Sequence, residues 1–130
     1  LRAFQFADAL AVSVYQHTRT FPREEMFGLT SQMRRAAVAA AANIVEGAAR
    51  AGEAEYRHFL NQAFGSLREV GYYISLATRL GYLSVEQSSV LDQQYTDAAS
   101  VLSGLISALR LPANIKPQAT GRKPKGEATQ

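Results

Sequence analysis

The side chains best suited to chemistry in this sequence are few and widely separated. His17 and His58 are the only histidines, and there is no cysteine. Thiolate metal sites, disulfide frameworks and Cys–His catalysis are therefore excluded. The sequence holds no HxxxH pair, no Gly-rich phosphate loop and no Ser/His/Asp signature. Glu55-Tyr56-Arg57-His58 does set a glutamate and a histidine at i, i+3 on one helical face, the spacing used by di-iron bundles. Such a centre needs a second Glu-x-x-His and two further glutamates on facing helices. Glu46 is a candidate for one glutamate, but the second motif does not exist. Glu55 and His58 thus read as a solvated helix face, and the sequence predicts no metal, no cofactor and no enzyme.

A second polar set lies in Leu29 to Arg50, where Arg34, Arg35, Asn43 and Glu46 interrupt a long alanine run. Arg35, Ala39, Ala42 and Glu46 trace one helical ridge with Asn43 beside it, and Glu46 and Arg50 stand at i, i+4 in the favourable order. Gln62, Ser66, Glu69 and Tyr73 trace a similar ridge on the next helix. A tight turn at Ala51 and Gly52 makes the two helices antiparallel, so facing residues have numbers summing to about 103. That sets Arg34 and Arg35 opposite Arg68 and Glu69, and Asn43 opposite Leu60 to Gln62. It predicts an ion pair from Arg34 or Arg35 to Glu69. Between a ligand site and a device that fixes helix register, the pattern favours register. Breaking one side of a buried pair costs about 3–5 kcal/mol, so Glu69→Ala is expected to destabilise strongly.

Four helical segments have to position these residues. In the first, running to about Thr18, Phe4, Ala7, Ala11, Val14 and Thr18 form an amphipathic seam, widened by Phe6, Leu10 and Tyr15. Pro22 and Gly28 bound a connection in which Glu24 and Glu25 make a short turn, and Phe21, Met26 and Phe27 are expected to fold back on the bundle. The second helix starts near Thr30, read as its N-cap, with a seam of Met33, Ala37, Ala40, Ile44 and Gly47. Ala36 to Ala42 is apolar throughout, and a helix apolar all round must be covered all round. This is either a central bundle helix or one whose outer face meets another copy.

The third helix, Glu53 to Leu80, carries the most regular seam: Tyr56, Leu60, Ala63, Leu67, Val70, Ile74 and Ala77. Gly65 and Gly71 inside it each cost roughly 1 kcal/mol, which a close helix contact would explain. Gly81 terminates it, and Ser84 with Gln87 forms a capping box for the fourth helix. That helix places Leu91, Tyr95, Ala98, Leu102, Leu105 and Leu109 inward, leaves Ser88 among the outward polar residues, and ends at Pro112. The expectation is an all-α, antiparallel up-down-up-down four-helix bundle over residues 1–111 and a disordered basic tail over 112–130.

Charge divides along the same boundary. Residues 1–110 hold ten arginines, no lysine and ten acidic residues, so they are formally neutral. The net charge of +3 sits beyond them, with Lys116, Arg122, Lys123 and Lys125. No apolar run approaches the roughly 20 residues of a membrane span. Without cysteine or a recognisable leader, the chain is expected to be cytoplasmic.

Several motifs carry a family resemblance: FGLTSQ at Phe27 to Gln32, RRA at Arg34 to Ala36, NIVEG at Asn43 to Gly47, GSLRE at Gly65 to Glu69 and LGYL at Leu80 to Leu83. The chain resembles the small proteins encoded by intervening sequences in bacterial 23S ribosomal RNA genes. Ala40 to Ala42 stands where that family often has a Ser-Ile-Pro type segment, so no proline kink is expected. The resemblance implies a four-helix bundle assembled as a ring, commonly a homopentamer, similar in fold to the accessory variability proteins of diversity-generating retroelements. Those bind nucleic acid and partner a reverse transcriptase.

The functional expectation is a non-enzymatic homo-oligomer that binds RNA or DNA or serves a reverse-transcriptase-like partner. Arg34, Arg35, Arg50 and Arg57 and the tail residues Lys116, Arg122, Lys123 and Lys125 are its nucleic-acid candidates. Arg34, Arg35, Asn43, Glu46, Gly47, Ser66 and Glu69 are its structural motif positions. The alternative is a protein-interaction scaffold without direct nucleic-acid binding, which the neutral folded part favours.

Overall fold

A computed structural model describes residues 1–110 of the chain, with side chains through residue 109. The tail, its four basic residues and the boundary at 111 and 112 lie outside the described residues. Four α-helices form an antiparallel up-down-up-down bundle: α1 Arg2–His17, α2 Leu29–Ala48, α3 Glu53–Arg79 and α4 Val85–Arg110. Each helix packs on its neighbours in the chain, and α1 closes the ring against α4. Two short 3₁₀ turns, Thr18–Thr20 and Arg23–Glu25, carry the chain from α1 to α2.

The seams of α2 and α3 bury as the spacing predicts. Met33, Ala37, Ala40, Ile44 and Gly47 of α2 are all buried, as are Leu60, Ala63, Leu67, Val70, Ile74 and Ala77 of α3, while Tyr56 is half-buried. Along α1 and into the turn after it, the predicted Ala7, Ala11, Val14 and Thr18 are buried, and the seam departs only at its start. Ala3, Ala7, Leu10, Ala11 and Val14 form the buried line, and Phe4 and Phe6 are only half-buried on its flanks. Tyr15 points outward. At the first turn Ala3, not Phe4, takes the buried position. In α4, Ile106 rather than Leu105 or Leu109 reaches the core. Ser88 is buried, contrary to expectation, and shares a hydrogen bond with Thr78, whose own hydroxyl donates to the Ile74 carbonyl at 2.7 Å.

Helix ends follow local rules with one exception. Gly81, at φ +83°, closes α3, and the Tyr82 and Gly81 N–H groups donate back to Ala77 and Thr78 at 2.9 and 3.0 Å. The Ser84–Gln87 capping box forms in both directions, at 2.9 and 3.1 Å. Thr30, however, is not an N-cap. It is buried inside α2, and the Leu29 N–H is satisfied instead by the Glu25 carboxylate at 3.0 Å.

Two glycines mark close helix contacts and one does not. A Cβ on Gly47 would stand 2.8 Å from the Phe59 Cβ, so α2 and α3 nearly touch there. One on Gly71 would meet the Tyr95 ring of α4 at 2.7 Å. Gly65 is exposed with nothing within 4 Å of its Cβ position, so no contact among the described residues explains it. In urea titrations Gly65→Ala should raise unfolding free energy by about 1 kcal/mol through helix propensity alone. Gly47→Ala should lower it by about 1–3 kcal/mol, because the helices must separate to admit the methyl group.

Candidate functional site

Register arithmetic from the sequence is correct along the helix axes and incomplete around them. The Tyr73 hydroxyl donates to Gln32 Oε1 at 3.4 Å, and Gly47 lies on Tyr56 and Phe59, all pairs at the expected heights. The predicted ion pair to Glu69 does not form. Arg34 points toward α1, where its Nε donates to the Thr18 hydroxyl at 2.8 Å, an Nη donates to the Tyr15 carbonyl at 3.4 Å, and the guanidinium lies 4.6 Å from the centre of the Tyr15 ring. Thr18 donates in turn to the Val14 carbonyl at 2.7 Å. Arg35 is exposed and donates to Gln32 of its own helix at 3.4 Å. A sum of residue numbers fixes height, whereas a 100° step per residue decides which neighbour a side chain meets. Arg34 falls on the α1 side of α2.

The rest of the α2–α3 polar set is shallow. Asn43 is half-buried and donates to the Ala39 carbonyl at 2.9 Å, satisfying itself within α2. Glu46 and Arg50 form the predicted i, i+4 ion pair, the only one among the described residues, and Arg50 also lies 5.0 Å from the Phe59 ring centre. Glu69 is exposed and borders an open groove of about 350 Å³ with His58, Asn61, Gln62, Gly65 and Ser66. Register therefore comes from the Gly47 contact and the apolar seams, not from a buried polar pair. Among the described residues no three His, Asp or Glu side chains converge as metal ligands would. Glu55 and His58 are exposed, and His58 sits edge-on to Phe59.

Sequence reasoning missed Glu25. Its Oε1 accepts the Leu29 N–H, and its Oε2 accepts the Tyr82 hydroxyl at 2.9 Å, which pins the α1–α2 connection to the α3–α4 turn. Phe21 adds a tilted ring contact with Tyr82 at 5.4 Å. A Cβ on Gly28 would press on the Glu25 carboxylate at 2.8 Å, so this glycine keeps the cap's place open. The Leu29 N–H, then the Tyr82 hydroxyl, hold the Glu25 carboxyl below its ordinary pKa, against an opposing effect of desolvation. The bond to Glu25, then desolvation, then the charges of Glu25 and Glu24 push the Tyr82 phenol up. A glutamate just before a helix is a readable capping signal, but nothing in the sequence links residues 25 and 82.

The connection's other aromatic stays outside. Phe21 is buried, whereas Met26 is 52% and Phe27 92% exposed, so the expected folding-back fails for both. Leu29 takes the core position next to them, which leaves the preceding two side chains on the far side of the turn. The outer face of α2 is also open, with Val38 45% and Val45 53% exposed. No described helix is long and apolar enough to cross a membrane.

On the outward face of α3, Arg57, Arg68 and Arg79 stand eleven residues apart. Eleven residues make about three turns, which returns each arginine to within about 20° of the last and about 16.5 Å further along. Arg68 and Arg79 are exposed and Arg57 half-buried. Tyr72, one turn beyond Arg68, is 56% exposed. Arg57 is among the nucleic-acid candidates read from the sequence, and the row is legible there as an arginine every eleventh residue.

Fold and surface together define a small antiparallel helical bundle with a row of outward arginines on α3 and an open groove at its α3 polar positions. Comparison with known proteins is more specific. The family model for the 23S rRNA-intervening sequence protein matches residues 1–104, so the chain belongs to that family. The crystal structure of a protein of unknown function from the S23 ribosomal protein family of Bacteroides thetaiotaomicron superposes with a TM-score of 0.72. It is 22% identical, and the match covers 80% of this chain and 97% of that one, which supports the fold. Among curated proteins none matches the chain in sequence.

Two expectations follow from this geometry. Glu69→Ala should change unfolding free energy by less than about 0.5 kcal/mol, as for an ordinary surface position. Glu25 has a lowered folded pKa, so its contribution is present above the unfolded carboxylate value and is lost as pH falls through the folded one. Thermal melts should show Glu25→Ala clearly less stable than wild type at pH 7, with the gap narrowing below about pH 4.

Proposed function

We propose that the chain is a non-enzymatic, homo-oligomeric, cytoplasmic bundle that binds single-stranded nucleic acid along the outward strip of α3. The observation that carries this reading is the row Arg57, Arg68 and Arg79 with Tyr72 among them. Arginine supplies planar, permanently charged donors for phosphate. An exposed tyrosine supplies a stacking face that accepts any base. Arg35 on α2 and the tail residues Lys116, Arg122, Lys123 and Lys125 extend the positive charge available to a strand.

The folded part is formally neutral, so one chain offers a weak site. Several copies in one assembly, with the family's ring and pentamer as the expected form, convert weak strips into a strong multivalent surface. The family's link with ribosomal RNA genes makes RNA the first substrate to examine and a polymerase of the reverse-transcriptase type a reasonable client. The half-exposed Val38 and Val45 support self-association, because an apolar stripe on α2 gains by being covered.

Fluorescence anisotropy with a labelled oligouridine tests the reading. Affinity should fall steeply with salt, and Arg68→Glu should reduce the salt slope by about 1. Tyr72→Ala should weaken binding by about 1–3 kcal/mol without changing that slope. Removing residues 113–130 should weaken it further. Absent or salt-independent binding overturns the proposal and leaves the protein-scaffold alternative, for which a pull-down that survives nuclease treatment is the positive sign.

A further inference from the structure

We propose that Phe27 of one copy docks into the groove between α1 and α2 of the next, so that copies of this chain join head to tail. The inference rests on the homo-oligomeric reading above and specifies which two surfaces meet.

Phe27 is the most exposed large apolar side chain among the described residues, at 92%. Its loop is not slack. The Met26 N–H donates to the Arg23 carbonyl and the Gly28 N–H to the Glu25 carbonyl, both at 3.0 Å, while Glu25 is itself held by Leu29 and Tyr82. A ring presented on a fixed turn loses little further freedom when it docks, which lowers the cost of association.

The receiving surface is a shallow groove of about 290 Å³ lined by Ala11, Val12, Tyr15, Gln16, Arg19 and Val38. Val12, Tyr15 and Val38 are 51%, 44% and 45% exposed, so its floor and walls are open apolar surface. Arg34, stacked on the Tyr15 ring and bonded to Thr18, holds one wall in place. An aromatic wall suits an incoming ring, since offset and edge-on pairs are favourable beyond simple burial.

Charge agrees with this match. Glu24 is exposed in the turn that presents Phe27, Arg19 is exposed at the groove, and neither is in an ion pair among the described residues. Docking of one copy on the next brings Glu24 to the Arg19 rim, although Arg23 is also exposed in the same turn. The two surfaces are also distinct. Phe27 is 92% exposed and is not among the residues that line the groove, so it does not fill the groove of its own chain. A knob and a socket at different places on one chain make a heterologous contact, which generates rings or filaments rather than two-fold pairs.

Light scattering on the full chain supplies the test. Wild type is expected to run at a multiple of the single-chain mass. Phe27→Ser and Val38→Glu, both at exposed positions, are each expected to fall to the single-chain mass with unchanged helical circular dichroism. A wild-type multimer that survives both substitutions overturns this contact and leaves self-association standing, whereas a wild type that is already a single chain sinks both. Because the chain has no cysteine, Val12→Cys and Met26→Cys placed together should give a ladder of covalent multimers with a short bis-maleimide. A missing ladder, or a dimer band from either substitution alone, overturns the head-to-tail arrangement.

Discussion

The near-touch of α2 and α3 at Gly47 is the contact from which the rest of the bundle takes its geometry. With the Phe59 Cβ 2.8 Å from where a Gly47 Cβ would be, the two backbones are as close as side-chain chemistry permits. The few residues between Ala48 and Glu53 then leave the helices no freedom but to run antiparallel. From that end the alanines of α2, buried at Ala36, Ala37, Ala40 and Ala41, keep the helix close to its neighbours, while Met33 and Ile44 supply the bulk that fills the interior. Close packing of this kind leaves a core little tolerance for added volume. At the far end the Tyr73–Gln32 bond has the spacing that this register demands.

The opposite end of the bundle is secured by polar groups rather than by small residues. Arg34 ties α2 to the C-terminal turn of α1 through Thr18 and Tyr15, and Glu25 ties the connection to the α3–α4 turn through Tyr82. Each clamp makes more than one bond from one side chain, so the partners orient each other. An arginine and a glutamate thus do locally what a longer hydrophobic contact would otherwise do. A connection of two 3₁₀ turns becomes a fixed platform. Its one buried ring, Phe21, faces in, and Phe27 is left facing out.

The sequence reveals one-dimensional properties well and angular ones poorly. Helix number, the α3 seam, the Gly81 terminus and the Ser84–Gln87 box all depend on spacing within a single segment, and all were legible. So was the axial match of α2 with α3, because a tight turn fixes it. The partner of Arg34 was not legible. Two arginines in adjacent positions differ by 100° around the helix, and only packing decides which of them faces α1. The α1 seam was legible at Ala7, Ala11, Val14 and Thr18 and missed at its first position: alanine contributes little to an apolar pattern, yet Ala3 is buried while Phe4 is half-buried. Glu25–Tyr82 joins residues with no local relation, so no periodicity announces it. Expecting Phe27 inside assumed that apolar residues in a connection return to their own core, which holds only while core positions remain, and Leu29 had taken the nearest one.

Two surface features lie on different sides of the bundle, although Leu80 at the end of α3 and Val85 and Val90 on α4 are also exposed. Because the helices form a ring, the α1–α2 side is opposite the α3–α4 side. The first carries Val12, Tyr15, Val38 and Val45 at the surface, and α3 on the second carries Arg57, Arg68, Arg79 and Tyr72. Apolar groups gain by leaving water, while guanidinium groups are costly to bury unpaired. Self-association through the first side therefore leaves the arginine strips facing solvent. In the proposed head-to-tail assembly every copy turns the same strip outward, and their positive potentials add over a surface that one formally neutral chain lacks. A weak basic strip and an uncovered valine stripe, each unremarkable on an isolated bundle, become complementary once copies repeat. On the proposed reading, affinity for a polyanion would be a property of the assembly, set by how many strips one strand can reach at once.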